Sequence, residues 1–465
     1  MAECIAQTLS QADLGEHASP QKAIAVIQAG TGVGKSAAYL STVVAMALER
    51  KTRVVISTAT VALQEQLLHK DLPALAASLS RPVQFALAKG RGRYVCKVKL
   101  EQRIGSGGEI DDFFEQDFPT APASGAAQQA EAQRRLRLYE NMQAQLLAQQ
   151  WNGDRDALAE AADPADWSSI AAERHTCTAR HCPRFRDCSY YQARTRLAEA
   201  QVIIANHDLL LASLGMKTLP DLDNCLVVFD EGHHLPAVAL DQFSSSMDLS
   251  NLRWLDRLPR AMQEVSSKLH LPAEDGLATV CAQLKQALNQ LASMALQLVH
   301  AQTSGADGVL RFPHGVLPAE LVEPVTQIQA QATGLAKALD ALGSEVQALA
   351  KEDPMQAALC APLYAKLGGF APRINSVAGT AQLLLEHGEQ PLAKWLEVLT
   401  DGAFLRLAAH ACPIVPADLL RQFLWSQVRA GLITSASLTS CGNFDYFLRE
   451  AGLSKLALSL KELGA

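Results

Sequence analysis

The sequence predicts an α/β fold in which a parallel sheet is interrupted by inserted segments. An apolar run at residues 23–27 is followed by a glycine-rich loop and then by a helical pattern. Further apolar runs at 53–60, 201–207 and 225–231 end in polar residues, as buried parallel strands do at their carboxyl ends. A long series of helical patterns then precedes one more strand at 432–435.

The composition is that of a globular protein. The 465 residues are 49% hydrophobic and 19% charged. No run of about 18 apolar residues occurs, and the start lacks a signal pattern, so we expect no membrane partner and a cytoplasmic location. Ten cysteines in such a chain indicate reduced thiols or metal ligands, not disulfides. A net charge of −7 does not by itself indicate a nucleic-acid partner.

The loop after the first strand has the pattern A-x-x-x-x-G-K-S. Its backbone amides and the following helix N-terminus suit a triphosphate, with Lys35 reaching the β- and γ-phosphates and Ser36 holding Mg²⁺. The alternative is a glycine-rich turn with a chance Lys-Ser pair. The predicted nucleotide-binding residues are Ala29, Gly30, Thr31, Gly32, Val33, Gly34, Lys35 and Ser36.

A second strand ends in hydroxyl residues at the same expected sheet edge. Thr58, Thr60 and Gln64 have side chains that could contact a nucleic-acid backbone there. Alternatively, they cap the helix that follows.

Two basic runs lie on either side of a loop predicted at 105–125. Basic residues interleaved with aromatic ones suit single-stranded nucleic acid, because cations follow the phosphates and rings stack on bases. The alternative is a solvated charged surface. The runs comprise Lys89, Arg91, Arg93, Lys97, Lys99 and Arg103, and then Arg174, Arg180, Arg184, Arg186, Arg194 and Arg196 with Tyr190 and Tyr191.

Four cysteines form a candidate ligand set: Cys96, and much later Cys177-x₄-Cys182-x₅-Cys188. Four thiolates suit an iron–sulfur cluster. Zinc is the alternative, because it also takes four thiolates and because His175 and His181 are nearby as substitute ligands, although the usual paired C-x₂₋₄-C is missing. Unligated cysteines that pack as small apolar residues are a third possibility. We interpret the remaining six cysteines as structural.

An acidic pair, Asp230-Glu231, ends the strand at 225–230. Asp230 is predicted to hold Mg²⁺ and Glu231 to orient the attacking water. Acidic pairs at strand ends are common, and it is the upstream Lys35-Ser36 that strengthens the interpretation. His233 reads as part of a D-E-x-H box that links the nucleotide and nucleic-acid sites, whereas zinc binding by His233 and His234 is disfavoured because adjacent histidines rarely face one metal.

The region between 235 and 416 is predicted to be an inserted helical domain, with helical patterns at 284–298, 325–342, 378–385 and 392–399. The alternative is a helical scaffold without nucleic-acid contacts. The predicted segments are 1–95, 96–190, 191–240, 241–415 and 416–465.

Together these motifs resemble the XPD/DinG group of superfamily 2 DEAH-box helicases, which carry an iron–sulfur domain. The cysteine spacing, residues 89–96 leading into it, and the segment at 205–210 are similar to that group. The corresponding motifs are I at 29–36, Ia at 58–64, II at 230–233 and III at 434–438.

The resemblance implies a RecA-like motor domain built from 1–95, 191–240 and 416–465. It further implies an iron–sulfur domain at 96–190 and a helical arch at 241–415. ATP, Mg²⁺ and a [4Fe-4S] cluster are the implied cofactors, and ATP hydrolysis would drive 5′→3′ unwinding of DNA. Single-stranded and forked DNA are the implied partners.

Three departures from the group's pattern stand out. Gly232 replaces the usual alanine of motif II, and Ser437 replaces the usual threonine of motif III. The group continues into a second motor domain with arginine fingers, whereas this sequence ends at Ala465 without a Q-x-x-G-R-x-x-R-like element. We therefore expect an incomplete motor that turns over slowly alone, by truncation or because a second half is supplied in trans. The alternatives are a nucleotide- and DNA-binding module and a zinc-bearing P-loop regulator.

Overall fold

The computed structural model describes residues 1–12, 22–107, 125–215, 219–272, 275–302, 308–388, 392–401, 404–454 and 458–463. The chain forms two compact units. The first comprises Met1–Lys89, Ala193–Phe243 and Pro413–Ala465, and the second comprises Gly90–Gln192 and Ser244–Cys412. Most of the loop predicted at 105–125 lies outside the described residues.

Eleven strands occur in the described residues. They are β1 (Ala23–Ala29), β2 (Arg53–Thr58), β3 (Phe85–Leu87), β4 (Val202–Asn206), β5 (Cys225–Asp230), β6 (Ser245–Asp248), β7 (Gly308–Arg311), β8 (Leu392–Asp401), β9 (Phe404–Pro413), β10 (Ala430–Ser435) and β11 (Leu458–Leu463).

The helices are named in the same way. They are α1 (Ala2–Leu9), α2 (Lys35–Arg50), α3 (Val61–Gln66), α4 (Leu72–Ser78), α5 (Lys97–Gly105), α6 (Gly125–Leu147), α7 (Pro164–Ile170), α8 (Ser189–Glu199), α9 (His207–Ser213), α10 (Leu235–Phe243), α11 (Trp254–Leu269), α12 (Leu277–Gln302), α13 (Ala319–Glu352), α14 (Pro354–Gly368), α15 (Ala371–Leu385), α16 (Ala417–Leu419) and α17 (Asp445–Glu450). Leu67–Asp71 and Leu420–Trp425 are π-helical.

The first unit is built on a seven-stranded parallel sheet with the order β11-β1-β10-β5-β2-β4-β3. Its central strands are almost entirely buried because helices cover both faces, and a hydrophobic cluster lies on each side. This is the α/β architecture predicted from the apolar runs, with the second unit inserted between its strands.

The register brings three carboxyl ends together. β10 lies between β1 and β5, with Gln28 opposite Ser435 on one side and Thr434 opposite Asp230 on the other. Because parallel strands end at a common edge, the loops that follow β1, β5 and β10 emerge side by side.

The second unit contains an antiparallel sheet with the order β6-β9-β8-β7 and the helices α11 to α15. One large hydrophobic cluster joins these helices to the inner face of the sheet. A smaller cluster, which includes Tyr139, Trp151 and Trp167, forms the core of the cysteine-bearing part.

The helix predicted at 392–399 is wrong, because these residues belong to strand β8. Leu392, Leu396 and Leu399 fit a helical spacing, but Lys394, Leu396 and Val398 are the buried positions and follow a period of two. These residues form a strand because the buried face of β8 packs on the large hydrophobic cluster.

None of the helices in the described part of the chain combines the length and apolar character that crossing a membrane requires.

Candidate nucleotide site and cysteine pocket

The loop between β1 and α2 turns at two glycines and leads directly into the N-terminus of a helix. Gly32 and Gly34 have φ values of 78° and 82°, in the left-handed region that favours glycine. Helix α2 begins at Lys35, and its N-cap residue, Gly34, supplies no side-chain cap. The first amides of the helix therefore have no side-chain acceptor at the cap, as an anion-binding N-terminus requires.

Lys35 meets the acidic strand end directly. Its Nζ donates a hydrogen bond to Glu231 Oε1 at 2.7 Å, and the two side chains are only 11% and 23% exposed. The two residues predicted from separate motifs thus lie in one half-buried site. Glu231 has a φ of 54°, an uncommon left-handed value for a non-glycine residue, and backbone strain of this kind clusters at functional sites.

Asp230 lies beside the same helix. Tyr39 Oη donates to Asp230 Oδ2 at 3.0 Å, and both residues are buried. Burial raises the pKa of Asp230, and it also raises the pKa of Tyr39 well above its usual value. A bound divalent cation would favour the ionised form of Asp230, because an opposite charge nearby stabilises a carboxylate.

The residues after β10 complete the site. Ser435 Oγ donates to Glu231 Oε2 at 2.9 Å, and it lies 2.6 Å from His233 Nδ1. Burial alone would raise the pKa of Glu231, but the hydrogen bonds from Lys35 and Ser435 outweigh it, and the pKa is lowered. Glu231 is therefore held as a carboxylate between a cation and a hydroxyl.

Several residues of this site were not predicted. Tyr39 follows Lys35 by one helical turn, and this spacing could have indicated that the two side chains lie on the same face of α2. Gln28 precedes the loop on β1, and its Oε1 accepts hydrogen bonds from the amides of Leu438 and Thr439 at 2.7 and 2.6 Å. Its only sequence signal was a polar residue inside a buried strand.

The residues after β2 favour capping over the predicted nucleic-acid contact. Thr60 is the N-cap of α3, and its side chain accepts from the amide of Leu63 at 3.3 Å. Thr58 and Gln64 are buried.

In the second unit, the four predicted cysteine ligands line one cavity of about 20 Å³. Cys96, Cys177, Cys182 and Cys188 all contribute to it, whereas His175 and His181 are not among its lining residues. Burial raises the pKa of Cys182 to about 12, and the other three sulfurs add to this shift. The four thiols are therefore close enough to influence one another.

The cysteines do not form a finished metal site. Among the described residues, no three histidine, cysteine, aspartate or glutamate side chains are arranged so as to hold a metal ion. The donor set fits an iron–sulfur cluster chemically, because four thiols without competing imidazoles face one cavity.

Three ion pairs and one close backbone contact surround the cysteine pocket. Lys97 pairs with Asp187 at 2.9 Å and Lys99 with Glu173 at 2.8 Å, and Arg184 pairs with Glu101. Gly368, at the end of α14, lies close to the backbone of His175, because an added Cβ would lie 1.9 Å from the carbonyl oxygen of His175.

Much of the predicted basic track is engaged in these internal contacts. Arg93 also pairs with Asp156, and Arg91 lies over the ring of Tyr190 at 4.2 Å. Tyr190 is buried, so its ring is not open to a nucleic-acid base. The interleaved pattern therefore reflects, in part, the packing of the cysteine pocket.

Comparison with known proteins supports the same grouping. The DEAD_2 family profile matches residues 175–252. The ATP-dependent DNA helicase DinG of Photobacterium profundum is 30% identical over 97% of this chain, and DinG of Escherichia coli strain K12 is 29% identical over 93%. The chain spans 64% and 60% of the lengths of these relatives.

Two solved structures that match this chain are described as "XPD_Helicase" and "Truncated XPD". Each is 13% identical to this chain and has a TM-score of 0.44. The match covers 99% of this chain and 60% of the first, and 100% of this chain and 99% of the second.

The chain is therefore similar to DinG helicases along nearly its whole length, and residues 175–252 match the DEAD_2 family.

Proposed function

We propose that the chain is the nucleotide-binding part of an ATP-dependent DNA helicase. The hydrogen bond from Lys35 to Glu231 is the observation that carries this proposal, because it joins the phosphate loop to the acidic strand end. ATP binds with its phosphates on the loop at 29–36, where Lys35 contacts the β- and γ-phosphates. The relatives named DinG, which are described as ATP-dependent DNA helicases, support this assignment.

Ser36 and Asp230 would hold Mg²⁺, which neutralises phosphate charge when it is bound. Glu231 orients the attacking water and accepts its proton. Entry of the γ-phosphate gives Lys35 a stronger anionic partner, so the carboxylate of Glu231 is released for the water. Nucleotide binding would thus replace the 2.7 Å hydrogen bond between these two groups.

Ser435 and His233 provide a path from nucleotide to nucleic acid. At the shared sheet edge, Ser435 Oγ lies 2.9 Å from Glu231 Oε2 and 2.6 Å from His233 Nδ1. A change in the position of Glu231 therefore reaches the loop after β10. We propose that this hydrogen-bonded chain couples nucleotide state to single-stranded or forked DNA and drives movement in the 5′→3′ direction.

The four-cysteine pocket is proposed to hold a [4Fe-4S] cluster. Cys96, Cys177, Cys182 and Cys188 would supply its thiolate ligands, and the cluster would cross-link α5 to the cysteine loop. Four thiolates can bind either an iron–sulfur cluster or zinc, and the similarity of the cysteine spacing to the DinG group is what favours the cluster.

The experiment is a paired binding measurement on the 465-residue chain. A fluorescent ATP analogue and a fluorescent single-stranded oligonucleotide are titrated separately into the wild type and into Lys35→Ala. We expect both ligands to bind the wild type and only the oligonucleotide to bind the variant. Equal nucleotide binding by the two proteins would refute the site.

Metal analysis of the same preparation tests the cluster. Iron and acid-labile sulfide in nearly equal amounts, about four of each per chain, are expected for a [4Fe-4S] cluster. Zinc in place of iron would reject it and favour the zinc-bearing alternative. The direction of movement is tested by strand separation on forks that carry either a 5′ or a 3′ single-stranded tail. The same protein is assayed for ATP hydrolysis.

A further inference from the structure

A buried histidine, His207, lies at the same sheet edge as the acidic strand end of the first unit. It directly follows β4 as the first residue of α9, and its side chain is not exposed at all. β2 lies between β4 and β5, and the register sets Ser57 of β2 opposite Phe229 of β5. Because these strands are parallel, His207 and Asp230 emerge side by side where the strands end.

One nitrogen of the imidazole ring is held by a hydroxyl group. Ser57 Oγ lies 2.7 Å from His207 Nδ1, and both side chains are completely buried. The ring of Phe229 lies on another side of the imidazole, with 6.3 Å between the ring centres. The orientation of the His207 ring is therefore fixed by the strands β2 and β5.

The other ring nitrogen, Nε2, is buried and makes no hydrogen bond of normal geometry within the part of the chain that the structure describes. Burial lowers the pKa of His207 to about 4, while the backbone of Glu231 and of Asp230 acts in the opposite direction. A carbonyl oxygen close to an imidazole has this effect, so the backbone of the acidic strand end lies next to the ring. The ring is neutral, and a hydrogen bond donated by Ser57 to Nδ1 places its proton on Nε2.

The backbone next to His207 carries the carboxylate of the proposed nucleotide site. Glu231 has a φ of 54°, a conformation that a non-glycine residue adopts only at an energetic cost. Its carboxylate contacts Lys35 at 2.7 Å and Ser435 at 2.9 Å. Both contacts depend on this strained turn, so a group that stabilises the turn also sets the position of the carboxylate.

We propose that His207 is a positioning residue for Glu231. Its Nε2–H faces the backbone of residues 230 and 231 and stabilises the turn in which the Glu231 carboxylate pairs with Lys35. Ser57 holds the imidazole in the tautomer and orientation that this contact requires. His207 acts through Glu231 and does not itself touch the nucleotide. The inference rests on the proposed nucleotide site and goes beyond it by giving His207 a role there.

The test is a double-mutant cycle on the full chain with a fluorescent ATP analogue. His207→Phe keeps a ring but removes Nε2–H, so the turn relaxes and Glu231 competes less well with the nucleotide for Lys35. We expect this variant to bind the analogue about 2- to 5-fold more tightly than the wild type, a gain that misfolding cannot produce. Glu231→Gln should have the same effect, and the two substitutions together should give no more than either alone, because both remove one competitor.

Three further variants separate positioning from packing. His207→Gln, whose amide nitrogen can replace Nε2, should restore the affinity to within about 2-fold of the wild type. Ser57→Ala should change the affinity in the same direction as His207→Phe. Ser213→Ala is the matched control and should have no effect, because Ser213 is a buried hydroxyl of α9 that donates to the carbonyl oxygen of Leu210.

The outcomes distinguish this inference from the nucleotide site on which it rests. Binding that depends on Lys35 but is equal in the wild type and His207→Phe would overturn the positioning role and leave the nucleotide site intact. Additive effects of His207→Phe and Glu231→Gln, or equal affinities of His207→Phe and His207→Gln, would also overturn it. If His207→Phe does not fold, Ser57→Ala, which keeps the imidazole, decides in its place. Binding that does not depend on Lys35 would reject the nucleotide site, and the role of His207 with it.

Discussion

Lys35 Nζ and Glu231 Oε1 lie 2.7 Å apart, although 196 residues separate them in the sequence. The parallel sheet explains this, because β10 lies between β1 and β5 and all three strands end at one edge. The carboxylate of Glu231 neutralises the ammonium group of Lys35. A nucleotide bound at the proposed site would therefore compete with Glu231 for Lys35.

Opposite effects are therefore expected from substitutions at the two ends of this pair. Lys35→Met should weaken binding of a fluorescent ATP analogue by about 10- to 100-fold, since a charge-assisted hydrogen bond is lost. Glu231→Gln should tighten it by about 2- to 5-fold, because a neutral amide competes less well for Lys35. Glu49→Gln, exposed near the end of α2, is the control. Weaker binding by Glu231→Gln would contradict the competition.

We expect that the close contact with Ile433 requires a glycine at position 232. An added Cβ would lie 2.5 Å from Ile433 Cγ2, a branched side chain on β10 that cannot easily move. Gly232→Ala should lower the free energy of unfolding by about 1–3 kcal/mol, measured by urea titration. Gly334→Ala, where an added Cβ meets nothing within 4 Å, should not.

A second variant identifies the cause of this loss. In an Ile433→Ala background, the cost of Gly232→Ala should shrink, because the clashing methyl group is gone. An unchanged cost would mean that Gly232 is needed for another reason. A reduced cost would mean that Ile433 is what excludes the usual alanine of motif II at this position.

Arg91 is expected to tune the proposed cluster. Its guanidinium lies 4.2 Å from the ring centre of Tyr190 and 5.8 Å from that of Tyr191, and it lines the cysteine cavity. Arg91→Met should shift the reduction potential negatively, on the order of tens of millivolts, because a nearby cation favours the reduced and more negative cluster.

Arg93→Met is the matched control for this shift, since Arg93 pairs with Asp156 and does not line the cavity. Potentiometric titration followed by electron paramagnetic resonance gives the two values. Equal potentials at equal iron content would reject the role of Arg91, whereas absence of iron would instead reject the cluster.

Lys394 on β8 is expected to act as a buried helix cap. Its Nζ donates to the carbonyl oxygens of Leu384 and Glu386, at 2.9 and 2.6 Å, where α15 ends. Burial lowers the pKa of this lysine. Lys394→Met should lower the free energy of unfolding by about 1–3 kcal/mol, because it leaves the two carbonyls without their lysine donor. Lys337→Met, exposed on α13, should have little effect, and an equal loss in both variants would contradict the capping role.

The sequence allowed the parallel sheet to be predicted, and with it the edge at which Lys35 and Glu231 meet, because the signals are local. Residues 23–36 contain a strand, a loop and a helix start in order, and residues 225–231 contain a strand with its acidic end. The convergence of Lys35 with Glu231 then follows from parallel pairing.

Long-range partners could not be predicted in the same way. Whether Lys97 and Lys99 face a nucleic acid or pair with Asp187 and Glu173 depends on side chains 74 to 90 residues away. Strand β8 was missed because its leucines fit a helical period while its buried side follows a period of two. Only the large hydrophobic cluster decides between the two patterns.

The most direct test of the nucleotide site is the Mg²⁺ dependence of ATP-analogue binding in the wild type and in Asp230→Asn. Asp230 and Ser36 are proposed to share the ion, so Mg²⁺ should tighten binding to the wild type by about 10-fold or more, while Asp230→Asn should lose most of this gain. An identical Mg²⁺ effect in the two proteins would contradict the proposal that the phosphate loop and the acidic strand end form one site.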